Sequence, residues 1–235
     1  MKGAVLLLAA VTAVTFVARE VTADARPQAA TATPARTSAS VQRPRPGPVP
    51  RLKQAFRNNC ETASLSMLLA SVGVRVDQRV LQREVAKSGP LDPIIAGEDS
   101  WIWGDPDAGF VGRVAGGGRA GGFGVYQTPI RLLARRHGVQ LADLSRRNVS
   151  AIVDRLRARR PVMAWIGLSQ GPYRRWETPT GKSVVANFGE HVVVLTGISG
   201  TTITANDPLS GGTLTWSVSE FARRWRLLGK RALGL

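Results

Sequence analysis

The segment at positions 54–63 reads Gln54-Ala55-Phe56-Arg57-Asn58-Asn59-Cys60-Glu61-Thr62-Ala63 and contains the only cysteine of the 235-residue chain. Apolar residues after it recur at helical spacing, and Gly73 stands where a glycine commonly ends a helix. Asn58 and Asn59 are residue types that cap helix N-termini. We therefore predict a helix over 60–71, with Cys60 in its first turn.

Cys60 has the sequence setting of a catalytic thiolate. It has no second cysteine with which to form an internal disulfide, and a helix N-terminus favours the ionised thiol. Gln54, six residues upstream, carries an amide that can donate to the oxyanion of an attacked carbonyl, with the backbone N–H of Cys60 as the second donor. The alternative is structural, because free cysteines are often buried and behave as small apolar residues.

The chain has only two histidines, which limits the choice of a general base. His191 lies at the start of an apolar run, where an imidazole is out of place unless it faces a cleft, whereas His137 lies at a predicted helix end, where a cation favours the helix dipole. We assign His191 as the base. We assign Asp207, at the end of the next predicted strand, to orient the ring, because facing side chains of adjacent antiparallel strands are about 5 Å apart. Asn206 competes for this role, but neighbouring strand residues point to opposite faces.

Helical and strand patterns occupy different halves of the chain. Three more helices are predicted: from Asp77 to near Gly89-Pro90, from Thr128-Pro129 to Gly138, and from Asn148 or Ser150 to a point before Pro161. Four strands follow, over 161–168, 190–198, 201–205 and 212–218, with Ser199-Gly200 as a hairpin turn. This order predicts an α+β domain with a cleft between a helical half and an antiparallel sheet.

The long connection at residues 88–125 is rich in glycine, acids and aromatic residues. Its acids include Glu98, Asp99, Asp105 and Asp107, and its aromatic residues Trp101, Trp103, Phe110 and Phe123 read as exposed. A connection of this length is often functional. We expect a substrate cleft that favours basic or apolar, glycine-containing peptides, lined by Trp101, Trp103, Asp105, Gly124 and Tyr126.

The first 50 residues indicate export. Lys2 precedes an apolar run from Ala4 to Ala18, and Ala23-Asp24-Ala25 fits the small-x-small pattern of a signal-peptide cleavage site. We predict a signal peptide over 1–25, a flexible linker rich in Pro, Arg, Ala and Thr over 26–50, and one domain over 51–235. The apolar run is shorter than the roughly 20 residues of a spanning helix, no second run follows, and an uncleaved N-terminal anchor is the alternative. We expect a secreted or cell-surface protein.

The net charge of +16 indicates which kinds of partner the protein can attract. The predicted linker contributes four arginines and no acid, which leaves about +12 for residues 51–235. A basic exported surface attracts polyanions, so an anionic cell-surface polymer is a candidate partner. Nucleic acid is not expected, because no helix-turn-helix, zinc-finger or RNA-binding aromatic pattern is present.

One cysteine and two histidines cannot form a structural zinc site, and no phosphate-binding loop is recognisable, so we expect no metal and no cofactor.

These residues resemble the bacteriocin-processing-peptidase-like branch of the papain-like cysteine peptidases, which trims double-glycine leaders in peptide exporters and also occurs as a stand-alone secreted type. The resemblance covers residues 51–225 and is carried by residues 54–69, 103–106, 109–112, 124–126, 190–194 and 206–208. It implies a papain-like α+β fold with nucleophile Cys60, base His191, orienting Asp207 and oxyanion donor Gln54. Transporter-linked members usually have Asp and Gly beside the cysteine, whereas Asn59 and Glu61 flank it here, which is closer to the stand-alone type.

Three functions are compatible with the sequence. The leading hypothesis is a secreted thiol peptidase or amidase that cleaves a peptide or protein substrate through an acyl-enzyme. The second keeps the acyl-enzyme but transfers the acyl group to an amine. The third is a non-catalytic surface-binding module in which Cys60 is inert.

Overall fold

The computed structural model describes residues 45–97 and 100–235, and this part of the chain contains five helices. These are α1 (Cys60–Ala70), α2 (Gln78–Glu84), α3 (Gln127–Arg136), α4 (Val149–Arg157) and α5 (Val218–Arg226). The predicted signal peptide, most of the predicted linker, and Glu98 and Asp99 lie outside the described residues. Over the described ranges, no helix has both the length and the apolar character that crossing a membrane requires.

Thirteen strands in the described residues form three sheets. The strands are β1 (Lys87–Ser88), β2 (Ile94–Gly97), β3 (Ser100–Ile102), β4 (Phe110–Gly112), β5 (Gly122–Gly124), β6 (Ala142–Asp143), β7 (Val162–Gly167), β8 (Tyr173–Glu177), β9 (Ser183–Asn187), β10 (Glu190–Ser199), β11 (Thr202–Asp207), β12 (Gly212–Ser217) and β13 (Ala232–Gly234). The largest sheet has the order β12-β11-β10-β7-β13-β6, and the smaller ones have the orders β2-β3-β8-β9 and β1-β4-β5.

The six-stranded sheet is antiparallel and carries helices on both faces. Successive residues of β10 point to opposite sides, so Val192 and Val194 join one apolar cluster while Val193 and Leu195 join the other. The first cluster contains the buried leucines of α1, and the second contains the buried apolar residues of α4 and α5. This arrangement confirms the predicted α+β fold and explains why β10 is apolar throughout its centre.

The structure confirms the four predicted strands and helices α1, α3 and α4 to within a few residues. Helix α2 is shorter than predicted: it ends at Glu84 because residues 87–88 pair with β4 instead of continuing the helix. Helix α5 was missed, and so were β8 and β9. The signal for α5 was present at Ser217, whose side chain accepts a hydrogen bond from the backbone N–H of Glu220 as an N-cap.

The expectation that the aromatic residues of segment 88–125 are exposed was wrong. Trp103 is completely buried, and Phe110 and Phe123 are nearly so. Trp103 packs edge-on against Trp176 at 5.5 Å between ring centroids, and its indole N–H donates to the Pro90 carbonyl at 3.0 Å. Edge-to-face packing of this kind stabilises aromatic clusters. These rings therefore extend the core, and Trp101 alone among the four predicted residues remains partly exposed.

Residues 47–50, which the sequence placed in the linker, contact the domain. The backbone N–H of Gly47 donates to the Ser71 carbonyl at 2.7 Å, and the Asn206 amide donates to the carbonyls of Val49 and Pro50 at 3.0 and 3.1 Å. Val49 also packs against the core. The chain thus joins the domain a few residues earlier than predicted.

Candidate active site

Cys60 is the first residue of α1, and a hydrogen-bonded loop fixes the helix start in space. Asn59, the N-cap residue, accepts the backbone N–H of Phe56 at 2.8 Å through Oδ1 and donates to Gln78 Oε1 at 2.9 Å through Nδ2. Gln78 Oε1 also accepts the backbone N–H of Ala55 at 2.8 Å. These contacts tie the segment before Cys60 to α2, so the sulfur position depends on two helices together.

The Cys60 side chain opens into a pocket of about 130 Å³. Gln54 and His191, predicted from the sequence to serve the same reaction, line this pocket with it. Cys60 is only 6% exposed, yet it is not sealed in the interior. The structural alternative, in which the thiol is only a packing residue of the core, does not account for its place in a polar pocket.

His191 and Asp207 form a buried pair beside the pocket. His191 Nε2 lies 2.6 Å from Asp207 Oδ1, and both residues are at most 5% exposed. Asn206, the competing residue, faces away and bonds to the backbone of residues 49–50. Because Nε2 is held by the carboxylate, Nδ1 is the ring nitrogen available for other chemistry. His137, the alternative base, lies at the end of α3 and bonds to Glu84 at 2.7 Å.

Asp207 is held as a carboxylate by several donors. Oδ1 also accepts the backbone N–H of Leu209 at 3.0 Å, and Oδ2 accepts the backbone N–H and hydroxyl of Ser210 at 3.1 and 2.7 Å. Burial raises the pKa of Asp207, but the hydrogen bonds from His191, Ser210 and Leu209 outweigh it and hold that pKa well below its usual range. A charged carboxylate that accepts from Nε2 fixes the orientation of the imidazole ring.

Two glutamates surround the sulfur of Cys60. The thiol donates to Glu61 Oε2 at 3.5 Å and approaches Glu190 Oε2 at 3.9 Å, and it makes no hydrogen bond to His191. Burial, followed by the charges of Glu190 and Glu61, raises the pKa of the Cys60 thiol well above its ordinary value. Desolvation and the two carboxylates therefore act against the effect of the helix N-terminus, which favours the thiolate.

Glu61 is enclosed and satisfied by the backbone. Its Oε1 accepts the N–H of Val125 at 2.6 Å, and a Cβ at position 124 would collide with that oxygen. Because residue 124 is a glycine, with φ of +111°, the Glu61 carboxylate can lie directly against its backbone. Gly124 therefore affects the site through the position of Glu61. Burial raises the pKa of Glu61 to about 7. Burial, with the charge of Glu61, raises the pKa of Glu190 well above its ordinary range.

The sequence did not assign a role to either glutamate, although each is the chain neighbour of a predicted catalytic residue. Glu61 follows Cys60 and Glu190 precedes His191. Adjacent residues normally point in different directions, so no local pattern indicated that both carboxylates would turn toward the sulfur. The contact between Cys60 and Glu190 joins positions 130 apart in the chain.

Gln54 lies at the pocket, but its amide hydrogens are used within the loop. Nε2 donates to the carbonyls of Phe56 and Arg57 at 2.9 and 2.7 Å, and Oε1 is buried without a partner among the described residues. An N–H directed at an oxyanion would require the amide to leave these carbonyls. The backbone N–H of Cys60 is free of such bonds in the described residues and remains a donor at the helix N-terminus.

None of the five predicted cleft residues lines the Cys60 pocket. Trp103 is fully buried, and Trp101 stacks under the Arg174 guanidinium at 5.3 Å from the ring centroid. Asp105 pairs with Lys182 at 2.8 Å. Tyr126 is covered by the Arg231 guanidinium at 3.6 Å. Each of these side chains has a structural partner, so only Gly124 of that set touches the groups around the sulfur.

The thiol and the two carboxylates could together hold a metal ion. One donor atom from each of Cys60, Glu61 and Glu190 lies within 4.8 Å of the others. The sequence has too few cysteines and histidines for a structural zinc site. That argument does not apply to a site made of one thiol and two carboxylates. A thiophilic cation bound there would occupy the nucleophile itself.

Comparison with known proteins agrees with this geometry. The Peptidase_C39 like family matches residues 47–233. The uncharacterized protein YvpB of Bacillus subtilis (strain 168) is 32% identical over 180 residues, which cover 75% of this chain and 68% of YvpB. Among solved structures, a Bacillus anthracis protein assigned to the C39-like peptidases is 28% identical and superposes with a TM-score of 0.67 over 79% of this chain and 93% of that one.

A double glycine motif protease from an AMS/PCAT transporter, solved in complex with the leader peptide, is 17% identical over 80% of this chain and 92% of its own, with a TM-score of 0.45. The family match spans nearly the whole described domain, and its range includes Cys60, His191 and Asp207. The chain therefore belongs to the Peptidase_C39-like family and is a hydrolase of the cysteine peptidase kind.

Proposed function

We propose that this protein is a secreted thiol hydrolase that cleaves a peptide or amide bond through Cys60, His191 and Asp207. The observation that supports it most is the buried His191–Asp207 pair at 2.6 Å, which opens onto the same pocket as the sole thiol of the chain. A carboxylate-held imidazole beside a thiol is the arrangement that nucleophilic acyl transfer needs. Secretion rests on the predicted signal peptide at residues 1–25.

In the proposed reaction, Cys60 Sγ attacks the carbonyl carbon while its proton passes to His191 Nδ1. Asp207 holds Nε2 and stabilises the imidazolium that forms. The tetrahedral oxyanion accepts the backbone N–H of Cys60, and Gln54 is the second donor once its amide turns from the loop carbonyls. His191 then protonates the leaving amine, a thioester remains on Cys60, and water activated by the same ring releases the acid.

The two glutamates set a condition on this mechanism. While Glu61 and Glu190 are charged, ionisation of Cys60 places three negative groups within a few ångströms of one another. Nucleophilic attack therefore requires that the carboxylates be protonated or neutralised by a bound group when substrate is present. The free protein is accordingly a resting state with a protonated thiol.

The test is cleavage of a diverse peptide library, read by mass spectrometry, with acid quenching to capture a thioester adduct on Cys60. We expect the unmodified chain to cut a subset of peptides, Cys60→Ala to cut none, and Asp207→Asn to lose about 10²- to 10⁴-fold in kcat/KM. An added amine that diverts the products would indicate acyl transfer. Cleavage that survives Cys60→Ala, or no cleavage and no adduct with the unmodified chain, would refute the proposal.

A further inference from the structure

Glu190 has a buried carboxylate oxygen that lacks a hydrogen-bond partner in the described part of this basic protein. Among the described residues, four acidic side chains lack a basic group within 4.0 Å: Glu61, Asp143, Glu177 and Glu190. Asp143 and Glu177 are exposed to water, which satisfies them. The two that remain lie at the active-site pocket, in a chain that carries 32 lysines and arginines.

The two pocket glutamates are not equivalent. Glu61 is closed in by Gly124 and satisfied by the Val125 N–H. Glu190 Oε1 is buried and has no hydrogen-bond partner in the described residues, while its Oε2 has only the weakly donating thiol of Cys60 at 3.9 Å. A buried carboxylate without donors is costly, because the desolvation of the group is not compensated. Structural carboxylates are normally supplied with donors by the fold, as Asp207 is here.

The missing donor has a defined place and charge. Glu190 lines the pocket that opens on Cys60, so a group that reaches Oε2 also lies beside the sulfur. A cation at this point would compensate the carboxylate and remove the repulsion that opposes ionisation of the thiol. Glu190 would thus recognise the bound cation, and the same cation would favour ionisation of the Cys60 thiol.

We propose that Glu190 determines specificity by binding a cationic group of the substrate, an amine or guanidine, on the residue that directly flanks the scissile bond. This inference rests on the proposed hydrolase function and names the substrate class for it. The contact of 3.9 Å between Glu190 Oε2 and the sulfur limits the cation to the residues next to the attacked carbonyl. Specificity would then come from charge pairing, to which a hydrogen bond between charged groups contributes about tenfold or more in selectivity.

Arg57 is the competing occupant, because it lines the same pocket but forms no ion pair with Glu190. An arginine that swung onto Glu190 in solution would satisfy the carboxylate without a substrate. The experiment therefore includes Arg57→Gln together with Glu190→Gln. Glu177→Gln serves as the matched control, since Glu177 is exposed and lies outside the pocket.

The first measurement does not depend on peptidase activity. Cys60, the only cysteine, is labelled at pH 8 with methanethiosulfonates that carry a trimethylammonium group, no charge or a sulfonate; each forms a mixed disulfide and releases methanesulfinate. Intact-mass spectrometry gives the rates. We expect the ratio of the cationic to the neutral rate to fall about tenfold in Glu190→Gln and to stay unchanged in Glu177→Gln. A ratio equal in Glu190→Gln and the unmodified chain would overturn the inference, as would a cation preference that appears only in Arg57→Gln.

The second measurement uses paired peptides with lysine or norleucine at one of the two positions that flank the cut. These side chains share a four-carbon stem and differ in charge. We expect kcat/KM to favour lysine about tenfold or more in the unmodified chain, and the lysine-to-norleucine ratio to fall toward one in Glu190→Gln. Equal ratios in both proteins would refute the substrate claim. Failure to cut any peptide while the labelling ratio behaves as expected would count against the hydrolase function but not against the cation site.

Discussion

Cys60, the proposed nucleophile, has immediate neighbours that oppose its ionisation. Most reactive cysteines sit beside cations or helix N-termini that lower the thiol pKa. Here the helix N-terminus is present, but desolvation and the carboxylates of Glu190 and Glu61 act in the other direction. The chemistry of this site is therefore governed by the charge state of residues that flank the catalytic pair in the chain.

Replacing Glu61 by Gln should lower the thiol pKa, because one of the two nearby negative charges is removed while the amide oxygen can still accept the Val125 N–H. The measurement is the rate of Cys60 alkylation by neutral iodoacetamide as a function of pH. The pH at half-maximal rate should move to a lower value in Glu61→Gln and stay unchanged in Glu177→Gln. A shift to higher pH would contradict the proposed repulsion.

Glu61 should also give the stability of the protein a defined pH dependence. Burial raises its pKa to about 7, from about 4.3 in the unfolded chain. The folded state favours the neutral carboxyl, so its contribution is fully present below about pH 4 and is lost as the pH rises through about 7. The unfolding free energy of Glu61→Gln, relative to the unmodified chain, should increase over that window in urea denaturation. A difference that is constant between pH 4 and pH 8 would show that Glu61 is not titrating in this way.

The loop before α1 positions the nucleophile through a network between elements. Asn59 links the start of α1 to Gln78 of α2 and to the Phe56 backbone. The backbone N–H of Gln54 also donates to the Pro208 carbonyl at 2.7 Å, next to Asp207. This backbone contact holds the segment before Cys60 next to the segment that carries Asp207. The position of the sulfur therefore depends on the loop as well as on α1.

Removing the Asn59 side chain should cost about 1–3 kcal/mol of unfolding free energy, since buried partners lose their hydrogen bonds, and should reduce kcat/KM as the loop shifts. Asn148 is the matched control, because it is also an N-cap asparagine without a side-chain cap hydrogen bond but is exposed. Asn148→Ala should remain within about 0.5 kcal/mol of the unmodified chain. Equal losses in the two variants would mean that the hydrogen-bond network around Asn59 adds no stability beyond that of an exposed asparagine at a helix start.

The elements that the sequence missed share a physical cause. Strand β8 exposes most of its residues, and β9 alternates exposed and buried positions before it ends in two buried ones. Both belong to the four-stranded sheet with β2 and β3, and neither has the apolar run that identified β7 and β10. The buried aromatic cluster around Trp103 and Trp176 looked exposed because its segment is rich in glycine and acids. Trp103 is buried by a residue more than 70 positions away, Trp176. The composition of the segment around Trp103 cannot predict that contact.

The charge of the molecule is large and mostly on its surface. A net charge of +16 should cause salt-dependent retention on phosphate-containing polymers. We expect the full chain to bind an immobilised polyglycerol-phosphate polymer at low salt and to elute as NaCl approaches about 1 M, where the screening length falls to about 3 Å. Cys60→Ala should behave identically, since the effect is not catalytic. Retention that is unchanged by salt would argue against this candidate partner.

The amino-acid sequence by itself indicated candidate residues for the chemistry and determined the local elements that hold them. Helical periodicity after Cys60, the apolar strand that begins at His191 and the turn after Asp207 are local signals, and each depends on a few neighbouring residues. They were sufficient to predict the α+β class, the buried His191–Asp207 pair and the position of the cysteine at a helix start. The sign and size of the surface charge follow from composition alone.

The protonation state of the site was set by tertiary packing. Glu61 and Glu190 reach the same sulfur only because α1 lies across β10, which brings together positions 130 apart. Burial then changes the pKa values of the thiol and the carboxyls in the pocket by amounts that no sequence pattern encodes, because desolvation depends on what covers a group in space. The same packing left Glu190 Oε1 without a hydrogen-bond partner in the described residues, while it enclosed Glu61 beside Gly124.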